Sequence, residues 1–342
     1  MRLRKAFSAT DAAVALIVLA AIVVGAVTVL RMDVFGQRDE EPQDGGQEEP
    51  VPAPIDPAMI KYRQTAAIGV PFDEPRALAV GAEDRIYAGG DRAIVVFAPD
   101  GSRQTQIDLD HEPRCLAVAD GESASPGAIY AGTKDRVVQL HLDGTVASVW
   151  PDLGPHALIT SIAATEEDVF VADAGNRIVL RYDTSGNLVN RIGQRDPKRN
   201  VPGFAITSEY FDLAVSPDGL LRVVNPRALR IEAYTFEGDL ESHFGRGGAG
   251  LEAFFGCCNP AHFAALRDGR FVTAEKGVAR VKIYGVEGKL ECVVAGPEEL
   301  QLRATDVIAD LAVDGRGRVL VLDPRAKQIR IFEPKETGPE GP

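Results

Sequence analysis

The segment FFGCCNPAHF (254–263) concentrates the groups best suited to chemistry: two adjacent thiols, Cys257 and Cys258, an Asn-Pro turn, and His262. Three roles are open to it. Thiolate and imidazole suit Zn or Cu, which makes Cys257, Cys258 and His262 a candidate metal set. In an oxidising compartment the thiols would pair instead, Cys257 with Cys258 in a strained ring, or one of them with Cys115 or Cys292. The third role is a structural turn with inert buried cysteines. No C-x-x-C, C-x-x-C-H or H-x-x-x-H spacing accompanies them, which argues against covalent haem and a standard zinc motif. No Gly-x-Ser-x-Gly elbow or phosphate-binding loop appears either. The Gly-rich GRGGAG (245–250) precedes no helix start and reads as a loop.

The elements that must position these groups repeat along the chain. The phrases PRALAV (75–80), PRCLAV (113–118), SIAAT (161–165), FDLAV (211–215), HFAAL (262–266) and ADLAV (309–313) each open a unit of short strands. Taking Leu78, Leu116, Ile162, Leu213, Phe263 and Leu311 as markers, successive steps are 38, 46, 51, 50 and 48 residues. A period in the forties with four strands per unit predicts six blades of a β-propeller. Asp100-Gly101, Asp143-Gly144, Ser185-Gly186, Glu237-Gly238 and Glu287-Gly288 fall where a third strand should turn into a fourth. The sixth unit stops at IRIFEP and lacks a fourth strand. The strand-like YRQTAAIGV (62–70), upstream of the first unit, is expected to fill that outer position and close the ring.

This frame sharpens the candidates. The residues preceding the markers are Ala77, Cys115, Ser161, Asp212, His262 and Asp310. Equivalent positions on six inner strands should ring the central channel near its mouth. Cys115, Asp212, His262 and Asp310 could converge there on a ligand or a divalent metal (Zn, Cu or Ca), or merely face channel water. Arg76 and Arg114 lie one residue further towards the mouth, able to receive an anionic ligand or to pair with carboxylates. His111 and His156 also precede inner strands. The charged hairpin of Glu275, Lys276, Arg280 and Lys282 is expected to be solvated.

The phrase VFVADAGNRIVLRYDTSGNLVNRIG (169–193) resembles an NHL repeat, with its Asp, Asn-Arg-Ile and Gly turn. The other copies are degenerate: Gly89-Gly90, Asn225-Pro226 and Glu275-Lys276 stand where Ala-Asp is usual. The resemblance covers roughly 270 residues, the scale of one large all-β domain. It implies a six-bladed propeller of NHL type and says little about function, since propellers host unrelated activities. Some propeller lyases hold Zn with three histidines from three blades. The likeness to peptide-amidating lyases is one of fold alone, because none of their longer motifs is present.

The N-terminus is different material. Ala12 to Leu30 carries no charge over 19 residues, long enough at 1.5 Å per residue to cross most of a bilayer core. Arg2, Arg4 and Lys5 precede it and acidic sequence follows, so a single-pass anchor with a cytoplasmic N-terminus and an extracytoplasmic remainder is expected. The expected organisation is a cytoplasmic tail (1–11), a transmembrane helix (12–31), a disordered acidic linker (32–58), the propeller (59–335) and a disordered tail (336–342). A net charge of −13 disfavours nucleic acid as a partner. The functional expectation is a membrane-tethered module that binds a protein or small ligand at the channel mouth. The alternatives are a metal-dependent lyase or lactonase-like hydrolase, and a redox or metal-handling protein using Cys257-Cys258.

Overall fold

The computed structural model describes residues 51–119, 127–303 and 306–336. The apolar run 12–31, the acidic stretch up to residue 50 and the tail from 337 lie outside the described residues. Among the described residues no helix is long and apolar enough to cross a membrane. Residues 51–58, assigned to the linker on composition, lie against the propeller. Ala53 N donates to Ala249 O at 2.8 Å, and Asp56 caps a 3-10 turn over Pro57–Met59.

The repeats fold into six four-stranded antiparallel sheets. Their inner strands are Pro75–Val80, Cys115–Ala119, Ile159–Ala164, Leu213–Val215, His262–Ala265 and Asp310–Val313, for blades I to VI in order. Each inner strand touches those of the two neighbouring blades, and VI touches I, so the ring is closed. Blade VI is completed by the strand Tyr62–Gly69, which pairs antiparallel with Gln328–Pro334 from Tyr62↔Pro334 to Gly69↔Gln328. The expected closure between the two ends of the domain is therefore present.

The hydrophobic core is not central. It consists of six clusters, one in each gap between neighbouring blades. This explains the strand composition. A second strand such as Ile86–Gly90 or Phe271–Glu275 is covered by a blade on either face, and every one of its residues is buried. An outer strand such as Val146–Val149 is mostly exposed. Turns follow the glycines. Gly186 has φ +83°, and a Cβ there would lie 2.7 Å from Trp150 Nε1, so both backbone and space require glycine.

In blades IV and V the degenerate repeats keep one hydrogen bond of the regular one. In blade III, Asp173 ends the second strand and its Oδ1 accepts Leu158 N at 3.0 Å, tying down the loop that enters the blade. In blade IV, Asn225 Oδ1 accepts Ala205 N at 3.0 Å, and in blade V, Glu275 Oε1 accepts Phe255 N at 2.9 Å. Asn and Glu replace the repeat's Asp because each keeps the acceptor. Glu275 also corrects the expectation of a solvated hairpin. Glu275, Arg280 and Lys282 are all buried, and Arg280 and Lys282 both pair with Glu275 Oε2, at 2.9 and 3.2 Å.

Candidate metal and ligand site at the channel mouth

The residues that precede the markers lie at or near the starts of the inner strands, and the polar ones among them join blade to blade. Leu213 N donates to Ser161 Oγ at 3.3 Å, Phe263 N to Asp212 Oδ2 at 2.8 Å and Leu78 N to Asp310 Oδ2 at 2.7 Å. Each aspartate also accepts the N–H of its own following residue, Leu213 at 2.8 Å and Leu311 at 2.7 Å. The carboxylates are thus fixed by backbone donors from two adjacent blades.

Asp212, His262 and Asp310 come together, with one ligand-type atom from each within 4.8 Å of the others. His262 Nε2 lies 3.0 Å from Ile308 O. A carbonyl oxygen only accepts, so Nε2 carries the hydrogen. In the neutral ring this leaves a lone pair on Nδ1. Nδ1 faces Asp212 Oδ2 at 3.8 Å and Asp310 Oδ1 at 3.7 Å, beyond hydrogen-bonding distance. Burial holds the imidazole below its ordinary range against the opposing pull of Asp212. Burial, then the charge of Asp212, pushes the Asp310 carboxyl well above its ordinary range, and burial also raises Asp212. Two carboxyl groups and an imidazole nitrogen therefore converge, and the Ser161 hydroxyl also hydrogen-bonds Asp212.

Above them opens a cavity of about 190 Å³, whose walls include Arg76, Arg114, Thr160, Tyr210 and Val307. Its arginines are paired: Arg76 with Glu112 and with Glu74 at 2.6 Å, Arg114 with Glu209 at 2.6 Å. Arg114 Nε has no hydrogen-bond partner among the described residues. Tyr210 stands edge-on to His262, with ring centroids 6.2 Å apart, and Lys276 lies over its other side at 5.2 Å. Glu209 and Tyr210 were not singled out from sequence. Their only signal is position, three and two residues before Asp212.

The other sequence candidates separate. Cys115 is buried on the same ring. Burial first, then the charges of Asp310 and Asp212, push its thiol up, and it joins no metal-type group. Cys257 and Cys258 do not join His262, as the metal set required; His262 keeps two carboxylates for company instead. All four cysteines stand as free thiols in this structure. Cys258 lies behind the mouth, its Sγ 3.4 Å from Thr207 Oγ1, while Cys257 is exposed. Burial opposes ionisation of Cys258, but hydrogen bonds from Thr207, Ser208 and Cys257 outweigh it and lower the thiol. His111 lines a separate depression with Lys134 and Arg136, and His156 is exposed.

No family model matches the chain, and a search of curated proteins finds no match. Solved structures do resemble it. A streptogramin B lyase aligns with 82% of this chain and 100% of its own, at TM-score 0.55 and 11% identity. The virginiamycin B lyase of Staphylococcus aureus aligns with 80% of this chain and 99% of its own, at TM-score 0.55 and 11% identity. A protein of unknown function from Bacteroides thetaiotaomicron aligns with 80% of this chain and 72% of its own, at TM-score 0.59 and 14% identity. At these identities the likeness establishes the β-propeller fold and no more.

Proposed function

We propose that this chain is a binding module of NHL-propeller type, tethered by its apolar segment 12–31 on the outer side of a membrane, that holds its ligand over a divalent metal at the channel mouth. The observation that supports this best is the Nδ1 lone pair of His262 facing two partly buried carboxylates. Two ligands each about 2.1 Å from one ion stand roughly 3.4–3.9 Å apart at angles near and somewhat above tetrahedral. The separations of 3.7 and 3.8 Å fall within that interval. Hydrogen bonding of the far imidazole nitrogen to a carbonyl is the usual second-shell arrangement of a ligating histidine. The imidazole favours Zn(II) or a similar transition metal over Ca(II), which takes oxygen ligands. Three protein ligands would leave a coordination position open towards the cavity, whose lining includes Arg76 and Arg114.

The test is elemental analysis of the purified full chain, followed by Zn(II) titration calorimetry. One ion per chain is expected, lost in His262→Ala and in the double variant Asp212→Asn/Asp310→Asn, and kept in Cys257→Ser. A chain that holds no metal and takes up no Zn(II), or an ion retained by His262→Ala, would overturn the proposal. A second reading, a metal-dependent lyase, rests on the neutral imidazole beside a carboxyl with raised affinity for a proton, a pairing suited to proton transfer. Cleavage of a streptogramin B substrate by the metal-loaded chain would favour that reading over simple binding.

A further inference from the structure

The adjacent thiols on the loop entering blade V take no part in the channel-mouth cluster, and they are unequal. Cys257 is exposed, whereas Cys258 is buried with its Sγ 3.4 Å from Thr207 Oγ1. Burial opposes ionisation of Cys258, but hydrogen bonding, led by Thr207, and the charge of Lys276 outweigh it and lower the thiol. The pair therefore offers one sulfur to solvent and a second that holds negative charge well.

The backbone around them is constrained. Cys258 has φ +60°, in the left-handed region that a cysteine seldom adopts. Such strain persists only where the surroundings over-determine it, and it gathers at functional sites. The buried Asn259 supplies the constraint. Its Nδ2 donates to Phe255 O at 2.7 Å and to Lys276 O at 3.0 Å, and its Oδ1 accepts Lys276 N at 3.0 Å. The loop that carries both thiols is thereby clamped to the hairpin that carries Lys276.

We propose that Cys257 and Cys258 form a redox couple whose disulfide oxidises a partner dithiol. A partner thiolate attacks Cys257 Sγ, the accessible sulfur, and expels Cys258 as a thiolate that Thr207 can receive as donor. A mixed disulfide now joins Cys257 to the partner. The partner's second thiolate attacks the partner sulfur of that bond and expels Cys257. The partner leaves as a disulfide, and its two electrons and two protons rest on the Cys257–Cys258 pair as two thiols. A small-molecule disulfide such as oxidised glutathione restores the pair by the reverse exchange and is itself reduced to two thiols. Two features favour this direction. A thiol of lower pKa leaves faster, and stabilising the reduced form makes a couple more oxidising. A bond between neighbouring residues closes a small ring, and departure from relaxed disulfide geometry makes a bond more reducible.

Thiol counting and mass spectrometry on the purified full chain, equilibrated in glutathione buffers and quenched with acid, test this. The four free thiols are expected to fall to two in oxidised glutathione, with Cys257 bonded to Cys258, and to return on reduction. The oxidised chain should convert a peptide carrying a C-x-x-C dithiol to its disulfide, one peptide per chain. Cys257→Ser should abolish that reaction. Thr207→Val, which removes the donor beside the leaving sulfur, should slow it by about threefold or more. If Thr207→Val fails to fold, Lys276→Met, which removes the nearby charge, should give the same slowing. Four thiols persisting in oxidised glutathione, thiols capped by glutathione without a bond between the two residues, peptide oxidation that survives Cys257→Ser, or a rate unmoved in the folded Thr207 or Lys276 variant would each overturn the proposal.

Discussion

At the scale of single residues, Asp310 couples the channel mouth to pH. Its carboxyl is raised well above its ordinary range by burial and by Asp212, with no metal present. A group whose folded pKa exceeds its unfolded value contributes stability below the unfolded value and loses it as pH rises through the folded one. In chelator-treated protein, the stability contributed by protonated Asp310 should therefore drain away above about pH 4, where an ordinary aspartate ionises in the unfolded chain, until Asp310 ionises in the fold as well. Asp310→Asn, which mimics the protonated acid, should be neutral or stabilising at pH 8 and lose that advantage at pH 4. Deleting a buried acceptor normally costs about 1–3 kcal/mol instead. Thermal melts at the two pH values, without and with Zn(II), check this; a loss of stability at pH 8 without metal would show that the hydrogen bonds Asp310 accepts from the Leu78 and Leu311 N–H groups matter more than the charge. The positions of Asp212, His262 and Asp310 were legible in the sequence, because each precedes a marker in the inner-strand alignment. Their partners were not. The Ile308 carbonyl that fixes the His262 tautomer, and Tyr210 across from it, arrive from loops whose paths no periodicity encodes.

At the scale of elements, the period, the Xaa-Gly turns and the unfinished sixth unit sufficed to place six blades and the closing strand. Burial was harder to read. Arg280 and Lys282 looked like ordinary charged hairpin residues, yet a strand between two blades buries both faces, and any charge on it must find a partner inside. Asp, Asn and Glu at the end of a second strand look like decay of the repeat until their shared hydrogen bond to the entering loop is seen. The closing strand offers a direct test of ring architecture. Ile68 is 7% exposed and packs into the cluster between blades VI and I, with Phe97, Ile329 and Ile331. Thr65, on the same strand, is exposed. Ile68→Ala should destabilise by about 2–4 kcal/mol through lost burial and the space left behind. Thr65→Ala should stay within about 0.5 kcal/mol. Denaturant melts of the two variants measure the difference, and equal effects would mean that the strand contributes little through its buried face.

At the scale of the whole molecule, the four cysteines report on compartment. All four lie in the propeller, three buried and Cys257 exposed. A membrane-impermeant maleimide should therefore reach one thiol in the native fold, and only from the side on which the propeller stands. Under the proposed tether, the positive residues before the apolar run and the acidic sequence after it would put that side outside the cytoplasm. An oxidising exterior also favours a bond between Cys257 and Cys258, which would mask the label until mild reduction. Labelling of intact cells, or of spheroplasts where an outer envelope intervenes, is expected to modify the chain once after reduction. Cys257→Ser should abolish the label, whereas Cys292→Ser should not. Labelling only after the membrane is broken would put the propeller in the cytoplasm and remove the tether from the proposed function. The proposed metal site would remain testable there as before, because it does not depend on which side of the membrane the ring faces.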